Sequence, residues 1–132
     1  FKRVDLEKNN LVYPNFMNVS NTSLNTTIEN EFGVKIHNFD DLDHFNNIDD
    51  VAALSTCLDM VVSTKTSVPL ISAGVGTLTK VANWKQSPWN NILLNPIGPL
   101  VDIFERDTQE SWDKVFSTIA EDIFTTTKNW SS

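Results

Sequence analysis

Apolar runs in this chain are short and change their period from one to the next, and each period predicts an element. Met60-Val61-Val62 is β-branched and brief, as a buried parallel strand would be. The polar run Ser63-Thr64-Lys65-Thr66-Ser67 follows it, and then an apolar segment from Val68 to Val75 that ends at Gly76. Pro69 suits the first turn of a helix and Gly76 suits the position just past its end, so this stretch predicts strand, hydroxyl-rich turn and helix. Before it, Phe1–Leu6 predicts a short strand and Lys8–Ser23 a loop. Leu24, Ile28 and Phe32 form an i, i+4, i+8 stripe, which predicts a helix stopped by Gly33. The alternation of Val34–Phe39 predicts a strand, and Asp49–Cys57 a helix. After it, Leu78–Ala82 predicts a strand, Asn83–Asn91 a loop, Leu100–Phe104 a strand, and Thr108–Phe124 an amphipathic helix built on Trp112, Val115, Phe116, Ile119 and Ile123. Thr125–Ser132 is expected to be a frayed tail. Strands alternating with helices in this way predict an α/β fold, a three-layer sandwich around a mostly parallel sheet.

Composition sharpens this picture. At 132 residues, 40% of them hydrophobic, the chain is expected to form one domain spanning residues 1–132 with a single core. A net charge of −7 disfavours duplex nucleic acid and anionic lipid as partners. No apolar run approaches the roughly 20 residues of a membrane span. The single cysteine, Cys57, excludes an internal disulfide and fits a reducing compartment, so a cytoplasmic location and a buried thiol are expected. Four N-x-S/T triplets, starting at Asn18, Asn21, Asn25 and Asn129, follow from a chain rich in Asn, Ser and Thr. The chain opens on Phe1, which leads to the expectation of a fragment or processed form of a longer protein.

Candidate chemistry gathers in three places. Residues 63 to 68 join a strand to a helix through hydroxyls, a lysine and unpaired backbone N–H groups, the ingredients of a phosphate cradle. Asp41-Leu42-Asp43 is a D-x-D triplet that could hold a divalent cation against a nucleotide diphosphate. Read more plainly, it belongs to a solvated acidic loop running into the next helix. His37 and His44 share no obvious metal spacing. The predicted loop after the fourth strand carries Trp84, Lys85 and Trp89, where an aromatic ring could stack on a base or simply wedge the loop.

The segment IDDVAALSTCLDMVVSTKTSVPLISAGVG, followed by SPWNNILL and a terminal W-x-x-V-F helix, resembles the C-terminal, donor-binding half of GT-B glycosyltransferases. The similar group is the heptosyltransferase-like one, often found behind tetratricopeptide repeats in bacteria. Its sequences carry D-D-x-A-A-L, then L-D-L-V-I-S, then D-T-x-x-x-H-L-A-G-A-L-G and P-W-Y-P. Asp49–Leu54, Leu58–Ser63, Thr66–Val68, Gly76 and Pro88-Trp89 match these in order. Lys65 stands where the family has aspartate, Leu70 where it has histidine, and the arginine that usually follows P-W-Y-P is missing.

The resemblance implies a Rossmann-like domain that binds a nucleotide-diphosphate sugar as donor without a bound metal. Ser63, Thr64, Lys65, Thr66 and Ser67 would then hold the diphosphate, and Trp84, Lys85 and Trp89 would border the base or sugar. It also implies a first strand that this chain lacks, so the remaining strands are expected to close in the flavodoxin-like order 2-1-3-4-5 or to pair with a second copy. The acceptor half and any general base would lie outside these residues. Transfer by this chain alone is therefore not expected, and no catalytic residue is assigned. The rival expectation is a non-catalytic interaction module on the same fold. A third is a metal-dependent transferase using Asp41 and Asp43.

Overall fold

The structure is a computed structural model, and it describes residues 3–5, 10–12, 22–37, 39, 41–43, 46–85 and 99–128. Six strands and four helices lie in these residues: β1 Arg3–Asp5, β2 Asn10–Val12, α1 Thr22–Phe32, β3 Lys35–His37, α2 Ile48–Thr56, β4 Met60–Thr64, α3 Val68–Gly74, β5 Leu78–Trp84, β6 Val101–Arg106 and α4 Trp112–Thr127.

The strands form two three-stranded ladders. In the first, β2 is central, antiparallel to β1 and parallel to β3. β2 falls within the stretch expected to be a loop: three residues are too few to show an alternation against the Asn and Pro around them. In the second ladder β4, β5 and β6 are all parallel and follow one another in sequence order. β1 comes close to β4, although no ladder joins them.

Helices cover both faces of the β4-β5-β6 sheet. On one face Val51 and Leu54 of α2, Leu58, Val61 of β4 and Val68 of α3 form a buried cluster. On the other, Met60 of β4 and Ala82 of β5 meet Val115, Ile119 and Ile123 of α4, with Phe104 and Trp112 packed beside them. Met60 and Val61 thus serve opposite layers, as the two-residue period of a strand requires. These are the three layers of an α/β sandwich, and the layout is compatible with a Rossmann-like fold.

Several polar groups inside this sandwich pair with one another. Thr77 Oγ1 donates to the Ser55 carbonyl at 2.8 Å, tying the start of β5 to the end of α2. Ser72 Oγ and Thr79 Oγ1 lie 2.8 Å apart, linking α3 to β5. Ser55 and Ser72 also donate back to the Val51 and Val68 carbonyls within their own helices. Lys80, only 2% exposed, reaches Asp102 of β6 at 2.5 Å and Asp122 of α4 at 2.6 Å.

Helix ends follow local chemistry. Asn47 caps α2 by accepting from the Asp50 N–H, and Asp49 and Asp50 sit in the first turn, where the helix dipole favours negative charge. α4 begins later than expected, at Trp112, because Ser111 accepts from the Asp113 N–H and caps the helix there. It also runs to Thr127, three residues past the expected end. Residues 129–132 of the expected tail lie outside the described residues.

Cys57 is exposed, not buried as expected: it closes α2 as the C-cap residue, where the helix ends. Gly76, past α3, has φ 89°, and an added Cβ would meet nothing within 4 Å there. The obstacle to a side chain is therefore the backbone conformation itself. Gly76→Ala is expected to cost about 1 kcal/mol, read by urea denaturation. Gly74→Ala, inside the helix and also in open space, should be neutral or stabilising by up to about 1 kcal/mol.

Candidate functional site at the carboxyl edge of the parallel sheet

Because β4, β5 and β6 are parallel, their carboxyl ends converge on one edge, the side on which open α/β sheets place ligands. Thr64 ends β4, Trp84 ends β5 and Arg106 ends β6. Thr64 is in register with Ala82, and Trp84 with Arg106. Neighbouring strands lie about 4.8 Å apart, so β4 and β6 are separated by roughly 10 Å across the edge.

The turn after β4 holds the expected cradle residues together. Ser63 Oγ donates to the Thr64 carbonyl at 2.9 Å. Thr66 Oγ1 accepts from the Val68 N–H at 3.3 Å, so one amide of the turn is already used. Ser67 sits at the N-cap of α3 with a helical backbone and no side-chain capping bond, and Pro69 follows in the first turn. α3 has only 7 residues, which leaves little dipole for an anion. Lys65 is half-buried. Burial lowers its pKa, and the charge of Glu105 on β6 acts in the opposite direction.

Across the edge, Trp84 is 48% exposed and closes β5. It and Asn83 were expected in a loop. The alternation runs on for two residues because β6 continues to pair, with Asn83 opposite Glu105 and Trp84 opposite Arg106. The Lys85 N–H then donates to the Arg106 carbonyl at 2.9 Å, and its ammonium pairs with Asp107 at 3.0 Å. That hydrogen bond, with the Asp107 charge, raises the Lys85 pKa. Trp89 lies outside the described residues. The structure therefore brings Ser63, Thr64, Lys65, Thr66, Ser67, Trp84 and Lys85 to one edge of one sheet.

Arg106 was missed. Its guanidinium lies 4.3 Å from the centre of the Trp112 ring, and Nη1 donates to the Glu110 carbonyl. The available signal was a lone cation two residues after the alternating run Leu100–Phe104, just past the carboxyl end of a predicted strand. Glu110 accepts from the Asp107 N–H at 3.1 Å and pairs with Lys114 at 3.3 Å, and together these hold its pKa below the ordinary value.

The D-x-D triplet lies elsewhere. Asp43 is occupied by the Asn46 N–H at 2.9 Å and the Asn46 amide at 3.0 Å, so it shapes the loop leading into α2. Asp41 lines a concavity of about 620 Å³ with Asp50 and Cys57 of the α2 segment and an apolar floor that includes Leu42 and Leu54. No group of three or more metal-ligating side chains occurs among the described residues. His37 is in β3, and His44 is outside the described residues. No described helix is long and apolar enough to cross a membrane. No family model, no curated protein and no solved structure matches this chain.

Proposed function

We propose that this chain binds a nucleotide diphosphate, as the donor-binding portion of a GT-B-like glycosyltransferase, at the carboxyl edge of β4-β5-β6. The observation that carries the reading is the convergence of a hydroxyl-and-lysine turn (Ser63–Ser67) with an exposed tryptophan and a lysine (Trp84, Lys85) at the ends of adjacent parallel strands. Thr64, Thr66 and Ser67 supply hydroxyls, Lys65 an ammonium, and Trp84 a ring face for a base. Trp89 completes the base or sugar side in this reading. The nucleotide sugar is a substrate held for a partner half, so the chain itself performs no transfer.

The strand order belongs to the same proposal. We read β1 as the neighbour of β4, which closes a single sheet β3-β2-β1-β4-β5-β6. This is the flavodoxin-like order with β2 inserted beside β1. It puts the reversal of strand order between β1 and β4, and the cradle residues follow β4 at that point.

A second reading has its own observation. Glu105, Asp107 and Glu110 share the edge, and Asp107 already neutralises Lys85. A domain that uses this edge for protein contacts, with no diphosphate, would carry such pairs.

Calorimetric titration with UDP, GDP, ADP, CMP and their sugar conjugates separates the two readings. Binding of one diphosphate without added metal, weakened about tenfold or more in Lys65→Ala/Thr66→Ala, is the expected result. Absence of binding by the wild-type chain at millimolar nucleotide favours the interaction module. A requirement for Mn²⁺ lost in Asp43→Ala would favour the metal-dependent transferase instead.

A further inference from the structure

We propose that Arg106 is the phosphate anchor of this edge, taking two phosphate oxygens on the side of its guanidinium that carries Nε and Nη2. The inference rests on the nucleotide-binding reading for its location, and on a separate set of contacts for its chemistry.

An arginine presents its donors in a rigid fork, and the side formed by Nε–H and Nη2 grips a phosphate or carboxylate with two parallel bonds. In this structure the opposite corner is the one in use: Nη1 donates to the Glu110 carbonyl. The guanidinium face lies on Trp112, 4.3 Å from the ring centre, which fixes its plane. Nε is buried and has no hydrogen-bond partner. A buried N–H without an acceptor is costly, which makes the Nε side the natural place for an incoming oxygen.

The acidic neighbours do not fill that place. Glu105 accepts from the Asn83 amide at 3.3 Å, Asp107 pairs with Lys85 at 3.0 Å, and Glu110 pairs with Lys114 at 3.3 Å. Arg106 forms no ion pair among the described residues, although it is flanked in sequence by two carboxylates. A cation held flat, at the ligand edge of a parallel sheet, with its two-pronged side unused, suits an anion supplied from outside the chain. A phosphate offers that side two oxygens at once, at the edge where open α/β sheets hold their ligands. Trp84, in register with Arg106 on β5, then offers the base a surface beside its own phosphate.

The test titrates wild type, Arg106→Gln and Arg106→Lys with inorganic pyrophosphate and with the nucleotide diphosphate panel, with thermal melts to verify folding. Arg106→Gln is expected to weaken pyrophosphate binding about ten- to hundredfold, and Arg106→Lys to recover only part of it, because lysine keeps the charge and loses the fork. The slope of log affinity against log salt should flatten in Arg106→Gln. Wild-type binding left unchanged by Arg106→Gln in a folded variant overturns the anchor and leaves the nucleotide reading standing. Arg106-dependent pyrophosphate binding without any nucleotide binding sustains the anchor and overturns the nucleotide reading. Failure of the wild type to bind either probe overturns both.

Discussion

Replacing Lys80 with alanine is expected to destabilise the fold by about 3 kcal/mol, measured as a shift in the urea midpoint with the slope unchanged. Lys80 is buried at the middle of the sandwich and touches all three elements of one layer contact: its own strand β5, Asp102 on β6 and Asp122 on α4. Phe104 lies beneath the ammonium, 6.0 Å from nitrogen to ring centre. Breaking a fully buried pair from one side costs about 3–5 kcal/mol, because a charge is left behind without its partner. The two aspartates here are partly exposed, with side-chain exposures of 50% and 39%. Water can therefore recover part of their solvation, which puts the expected value at the lower end of that range.

The pH dependence carries the same signature with a definite sign. Burial alone would lower the Lys80 pKa, but the hydrogen bonds and charges of Asp102 and Asp122 outweigh it and raise the value above the ordinary one. A raised folded-state pKa means that the contribution is complete below the unfolded value, about 10.4, and is lost as pH rises through the folded one. The stability gap between wild type and Lys80→Ala should therefore stay constant through neutral pH and narrow only in strong alkali. A gap that closes between pH 6 and 8 would contradict this account.

Ile119→Ala is expected to cost about 3 kcal/mol, within the usual 2–5 kcal/mol for emptying a buried isoleucine. Ile119 is 3% exposed and lies in the apolar cluster that joins α4 to Met60 and Ala82. The same substitution removes no hydrogen bond and no charge, so its effect reports packing alone. Ile119→Val should cost about 1 kcal/mol by the same reasoning. Phe116, 49% accessible and with its ring 6.1 Å from that of Trp112 at the margin of the cluster, makes the smaller comparison: Phe116→Ala should cost about 1 kcal/mol or less.

These two sites also mark what could be read from the residues alone. Ile119 was legible: its spacing from Trp112, Val115 and Ile123 is a helical stripe, and the stripe faces the sheet. Lys80 was not, since a lysine in a short strand looks solvent-facing until the partners on β6 and α4 are known. Both are more than twenty residues away in sequence. The parallel sheet, its alternation with helices, the turn after β4 and the left-handed Gly76 were all visible as local chemistry. β2 was invisible because it pairs only through tertiary context. Trp84 was misplaced for a related reason, since it is the continuing ladder with β6 that holds it in the strand. Arg106 was overlooked because its role depends on Trp112 and on which corner of the guanidinium Glu110 occupies, neither of which spacing reveals. Cys57 shows how a residue in an apolar run can still point outward when the helix ends on it.

β6 is the outermost strand of the β4-β5-β6 ladder, and it carries Asp102 and Glu105 exposed along a run of otherwise half-buried residues. A flat apolar edge would invite another strand to add on, whereas charge along the edge makes that addition unfavourable. A second copy of this chain docking there would bring like carboxylates face to face. Growth of the sheet by self-addition is thus discouraged on that side.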